Sequence, residues 1–212
     1  VGRSVDRLIN FSDAVVAVAI TVLVLPLVDI EPPQQGQSVW DVIGANGAQF
    51  WTFLFTFYVV AIMWATHNRI MRDLAALDGA LMWLNTTWLA AIVLLPWASS
   101  MYGEADAGRT SVGLVYWFLL GIISGLGGLI ASYLRRHPDL LDRAEGSADW
   151  RTRLRGPAFA MLFFVIGLAS TVWPDGASWL ALLAIPLTIV LRPHGSDPGA
   201  VAPADSPQEE SA

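Results

Sequence analysis

Apolar residues run almost unbroken through six stretches of the chain, approximately 8–28, 42–66, 79–99, 111–134, 156–173 and 177–191. Polar segments such as "DIEPPQQGQS", "YGEADAGR" and "WPDGAS" separate them. A bilayer core of about 30 Å takes about 20 apolar residues of helix. The pattern therefore predicts an all-α integral membrane protein with six transmembrane helices per subunit. The sixth is short and holds Pro186, which suits a tilted, locally thinned or re-entrant segment. Residues 1–192 form the expected transmembrane domain. Residues 193–212, "PHGSDPGAVAPADSPQEESA", are rich in Pro, Gly, Ala and acids, lack the apolar side chains for a core, and are expected to be a disordered cytoplasmic tail.

The basic residues orient this array. If six helices alternate, Arg3, Arg7, Arg69, Arg72, Arg135, Arg136, Arg143, Arg151, Arg153, Arg155 and Arg192 share one side and only Arg109 lies opposite. The positive-inside rule then puts both termini in the cytoplasm of a multi-pass protein of the inner (plasma) membrane. Asp29, Glu31, Asp41, Glu104, Asp106 and Asp175 fall outside. A signal peptide is the competing reading of residues 3–28, but the apolar run is long for one and "VDIEPPQQG" offers no small-residue cleavage site.

Composition agrees: 55% of the 212 residues are hydrophobic, 14% are charged, and the mean hydropathy is +0.53. The chain has no cysteine, which excludes thiol chemistry, and His67, His137 and His194 show no metal-binding spacing, so no tightly bound metal and no cofactor are expected. No nucleophile with a base and no paired intramembrane carboxylates stand out, so an enzyme is not expected. The net charge of -6 argues against nucleic acid as a partner.

One stretch resists a purely architectural account. In "RLINFSDAVVAVAITVLVLPL", residues 7–27, a serine and an aspartate sit inside the apolar run. Only 15 residues run from Ala14 to Val28, too few to cross, so Ser12 and Asp13 belong in the helix. The alternative makes Asp13 an N-cap at the surface of a short tilted helix. A carboxylate near mid-membrane costs roughly 2.5–3.5 kcal/mol on insertion scales and marks function by default. Arg7 is poorly placed on the helix to pair with it, so Asp13 needs partners from other helices. His67 in "MWATHNRIMR" and Asn85 in "LMWLNTTWL" are the candidates. Their ordinary readings are an interfacial histidine and interhelical glue. Along the same helix Ala14, Val18, Thr21 or Val22, and Leu25 form one stripe.

Elsewhere "GIISGLGG" places Gly121 and Gly125, and Ser124 and Gly128, four apart, the spacing that lets helices approach closely. Trp40, Trp51, Trp97, Trp117, Trp150, Trp173 and Trp179 fall near expected helix ends, as an aromatic belt would. Pro26, Pro96 and Pro186 are expected to kink their helices.

"RLINFSD" fits R-x-x-x-F-S-D, and "WATHNR", "WLN" and "LLPW" follow in the second and third helices. Over roughly its first hundred residues the chain thus resembles the lysosomal potassium channel family, transmembrane protein 175, whose bacterial members are single six-helix units. The resemblance implies a homotetramer around a pore lined by the first helix of each subunit. Arg7, Phe11, Ser12 and Asp13 would be the signature, with His67 and Asn85 as its polar partners. Val18, Thr21, Val22 and Leu25 would line the constriction. Val18 stands where family members often have isoleucine, which implies a slightly wider and leakier ring. No TVGYG filter occurs. The apolar ring would gate by narrowness and dewetting, and Thr21 hydroxyls would contact passing K+. Asp29 and Glu31, just beyond the helix, would either gather cations or be a solvated loop. The expected function is a potassium-preferring cation channel whose partners are its own copies, the lipid bilayer and monovalent cations. A proton-coupled secondary transporter using Asp13 and His67 is the alternative, and a non-transporting scaffold a third reading.

Overall fold

The computed structural model describes residues 2–104, 110–142 and 150–190, so Asp106, Arg109, Arg143, Arg192 and the expected tail at 193–212 lie outside the described residues. The described chain is all-helical. Helix α1 spans Gly2–Val22, α2 Leu25–Val28, α3 Val39–Ala45, α4 Gly47–Met71, α5 Gly79–Glu104, α6 Thr110–Arg136, α7 Trp150–Val172, α8 Pro174–Ala177 and α9 Ala184–Val190. Short 3-10 turns cover Pro138–Leu140 and Ser178–Leu183.

Among the described residues four segments are long and apolar enough to cross a membrane: Ser4–Val28, Gly47–Met71, Gly79–Glu104 and Thr110–Arg136. The apolar parts of the last two expected spans, Gly156–Val172 and Trp179–Thr188, are shorter. The expected sixth helix is two pieces, a 3-10 run and then α9.

Local chemistry sets the boundaries. A proline at position 26 lacks the N–H that would bond the Val22 carbonyl, and its ring clashes there. Helix α1 accordingly stops at Val22, and the chain crosses a turn in which the Val24 N–H reaches Thr21 at 3.4 Å before α2 resumes. The second expected segment divides at Asn46. Ser38 starts α3 with a capping box, its hydroxyl accepting the Asp41 N–H and the Asp41 carboxylate accepting the Ser38 N–H, and α4 begins only at Gly47. The span therefore runs five residues further than expected, and His67 sits within its last turns rather than at its end.

In lipid, helices gain little from the hydrophobic effect and associate through close packing and polar pairs. Helices α6 and α7 show the first of these. A Cβ on Gly156 would lie 2.5 Å from the Gly128 Cα, and one on Gly121 would lie 2.7 Å from the Phe164 ring. The small-residue run thus serves close approach. Trp117 departs from the expected aromatic belt: it is buried, edge-on to Tyr116 and Phe55 at 5.0 and 5.6 Å, because it shares the inner stripe of α6 with Gly113, Leu120 and Ser124. Trp40, Trp51, Trp97, Trp173 and Trp179 are exposed.

At the end of the bundle that holds the N-terminus, the α4–α5 connection is sewn to the segment after α6. The Ala75 N–H donates to Leu140 at 2.8 Å and the Asp142 N–H to Asp73 at 2.9 Å. Asp78 caps α5 through the Leu81 N–H and also accepts the Tyr133 hydroxyl. Both contacts hold its carboxyl below the usual carboxylate range, the Tyr133 bond most strongly.

Candidate functional site

Helix α1 has two unlike faces. Val5, Ser12, Val16, Ala19 and Leu23 are buried, at a spacing that keeps them on one stripe against α5 and α4. At 100° per residue the stripe of Val18, Thr21, Val22 and Leu25 points about 150° away from it. All four are exposed on the subunit, Val18 at 63% and Leu25 at 53%, and Phe11 and Arg7 share that outer side.

Polar side chains fix this rotation. The Ser12 hydroxyl donates to the Leu8 carbonyl at 2.8 Å and accepts from Asn85 Nδ2 at 2.9 Å. Asn85 Oδ1 is 2.7 Å from His67 Nε2, so in this arrangement Nε2 carries the proton. The bonds run one way, His67 to Asn85 to Ser12 to the α1 backbone, and join three helices. All three side chains are buried, and the His67 ring stacks on Trp88 with centroids 4.2 Å apart.

Asp13 lies in mid-helix, so it is not an N-cap. Its partners are Trp64 Nε1 at 2.8 Å and Asn68 Nδ2 at 3.3 Å, both on Oδ1. This differs from the expected pairing: His67 and Asn85 reach Ser12, one residue away on the inner stripe, while Asp13 projects sideways onto α4. Asp13 and His67 therefore keep separate hydrogen-bond partners. Trp64 and Asn68 stand four apart within "WATHNR", and that spacing was the available signal for them.

Thr21 Oγ1 donates to the Val18 carbonyl at 2.7 Å, which spends its proton on the helix and leaves its lone pairs outward. Beyond α2, Asp29 and Glu31 line an open cleft of about 560 Å³ together with Asp41 and Glu104. The Ser38 N–H and hydroxyl hold the Asp41 carboxyl below its ordinary range.

A second buried polar cluster lies in the other half of the bundle, and its residues had not stood out in the sequence. Thr56 Oγ1 is 2.6 Å from the Thr52 carbonyl, 2.7 Å from the Tyr116 hydroxyl and 3.2 Å from Ser99. The i, i+4 pair Thr52 and Thr56 in an otherwise apolar helix was its trace.

Residues 7–96 match the model of a family described as endosomal/lysosomal potassium channel TMEM175. A potassium channel of Streptomyces collinus is 30% identical over 195 residues, covering 89% of this chain and 87% of that protein. The endosomal/lysosomal proton channel TMEM175 of Rattus norvegicus is 27% identical over 78% of this chain, which spans only 35% of its length. In three dimensions the fold is similar to the crystal structure of a lysosomal potassium-selective channel TMEM175 homolog from Chamaesiphon minutus, with a TM-score of 0.67 at 22% identity over 90% of this chain and 100% of that one. These are names of ion channels, a class that is not enzymatic, as expected.

Proposed function

The chain belongs to the TMEM175 family, and on that premise we propose that four copies of it form a potassium-preferring cation channel in the inner (plasma) membrane. The observation that carries this reading is the orientation of α1. Ser12 and Asp13 are committed to α5 and α4, and the largely apolar face of Val18, Thr21, Val22 and Leu25 is left without cover. One subunit cannot enclose an axial passage with that face, whereas a closed ring of subunits can.

In this assembly Val18, Val22 and Leu25 form a narrow apolar constriction that gates by dewetting, and Thr21 offers oxygen lone pairs to a partly dehydrated K+. The acids of the outer cleft raise the cation concentration near the mouth. Arg7, Phe11, Ser12, Asp13, His67 and Asn85 keep the lining helix in register and need no cofactor. Six crossings, counting α7 and the α9 region, put both termini and the tail 193–212 in the cytoplasm with every arginine but Arg109.

Flux from K+-loaded liposomes tests this. Val18→Ala and Leu25→Ala are expected to raise leak severalfold, and Thr21→Val to weaken the preference for K+ over Na+. Silence of the reconstituted protein under every potential and pH, or unchanged conductance in both apolar variants, would overturn the reading. Saturable flux at low turnover would point to the proton-coupled transporter instead.

A further inference from the structure

We propose that the outward face of α4 around Tyr58 is a seam against a second copy of this chain, whose oxygen acceptor completes the Tyr58 hydroxyl. The inference rests on the assembly reading above and adds the surface that forms it.

Tyr58 is the twelfth of 25 residues in α4, so at 1.5 Å per residue its Cα lies within about 2 Å of the helix midpoint. From there a phenol falls well short of the polar surface about 15 Å away on either side. Tyrosine in membranes normally sits at those surfaces, where the ring is in lipid and the hydroxyl in water. Tyr58 is 63% exposed on the subunit, and its hydroxyl has no hydrogen-bond partner among the described residues. Among the described residues its one aromatic partner is the neighbouring Phe57, edge-on at 5.8 Å.

Outward threonine hydroxyls along the spans show how a lipid face is managed. Thr66, Thr86 and Thr87 each donate to the carbonyl four residues back, and Thr171 to the one three back. A tyrosine cannot turn its hydroxyl onto its own helix in this way. Bare in hydrocarbon, the group forfeits its water without replacement, so polar residues at this depth face protein or a water-filled passage. Trp51, Leu54 and Ile62 continue the exposed stripe above and below Tyr58, and Ala65 leaves room for close approach. Helix α4 also stands beside α1, held there by Trp64 on Asp13, so the stripe adjoins the helix whose own outer face awaits other copies.

The absence of cysteine makes the test clean. Tyr58→Cys and a control, Leu168→Cys on the outer face of α7, are labelled with bimane in the full chain and reconstituted into liposomes with bromine on the acyl chains. Quenching at position 58 is expected to be several-fold weaker than at 168, with iodide in the water ineffective at both. Separately, Tyr58→Phe is expected to raise the concentration at which the detergent-solubilised oligomer dissociates severalfold, each seam losing one interhelical hydrogen bond. An intact oligomer whose position 58 is quenched fully by brominated lipid, or by iodide, overturns this inference and leaves the channel reading standing. A monomer by native mass spectrometry overturns both.

Discussion

The two buried polar clusters are built from similar groups and hold different things. The Ser12, Asn85 and His67 chain crosses from α1 to α5 and α4, and Asp13 adds a second tie from α1 to α4. The Thr56, Ser99 and Tyr116 cluster joins α4, α5 and α6 and leaves α1 alone. The first therefore sets the rotation of α1 and, with it, which face stays uncovered. The second rigidifies the frame behind. Polar residues in a membrane interior are thus not one class: what matters is whether the bond crosses to an element that must be aimed.

The largest test of that distinction removes the central link. Asn85→Leu keeps the volume but leaves the His67 Nε2–H without an acceptor and cuts both interhelical bonds. Interhelical hydrogen bonds in membranes average about 0.6 kcal/mol, and an orphaned buried donor costs about 1–3, so a loss near 2 kcal/mol is expected in a denaturant titration in detergent. Ion flux should change as well, since α1 then loses the bond that turns Ser12 inward and keeps only the sideways tie through Asp13. A destabilised variant with wild-type flux and selectivity would separate the polar chain from the aim of α1.

Thr56→Val is the counterpart. One hydroxyl that donates to the Thr52 carbonyl can still accept from both Tyr116 and Ser99, so the substitution strands the Tyr116 proton. A loss of about 1–2 kcal/mol is expected, with flux and K+ preference unchanged at temperatures where the protein is folded. Altered selectivity in this variant would erase the contrast between the clusters.

Much of this was legible in the sequence, because hydropathy and helical period carry it. Four of the expected spans coincide with helices long enough to cross, Ser12 is buried, and Asp13 takes partners from another helix. What failed were the features decided by tertiary fit. Whether His67 or Trp64 reaches the carboxylate depends on the relative rotation of two helices, which no single helix records. The division at Asn46 and the broken α9 region turn on caps and 3-10 turns that a hydropathy window averages away. Trp117 looks like a belt residue by position and is a core residue by the face it occupies.

The smallest expected effect lies at the edge of the first cluster and asks how far its positioning extends. Asp78 caps α5 two turns before Asn85 and accepts the Tyr133 hydroxyl, so it joins the start of α5 to the end of α6. Tyr133→Phe keeps the cap and loses one bond, a small change at neutral pH. Because the Asp78 carboxyl is held below its ordinary range, the bond contributes fully above about pH 4, where an unfolded aspartate is ionised, and fades as the pH falls through the lower folded value. The stability difference between wild type and Tyr133→Phe should therefore shrink on acidification below that point. A difference that persists undiminished on acidification would mean that the Tyr133 hydroxyl contributes independently of the Asp78 charge, since the ring stack on His137 at 4.1 Å is common to both variants, and that the height of Asn85 in the bundle is set by packing rather than by this carboxylate.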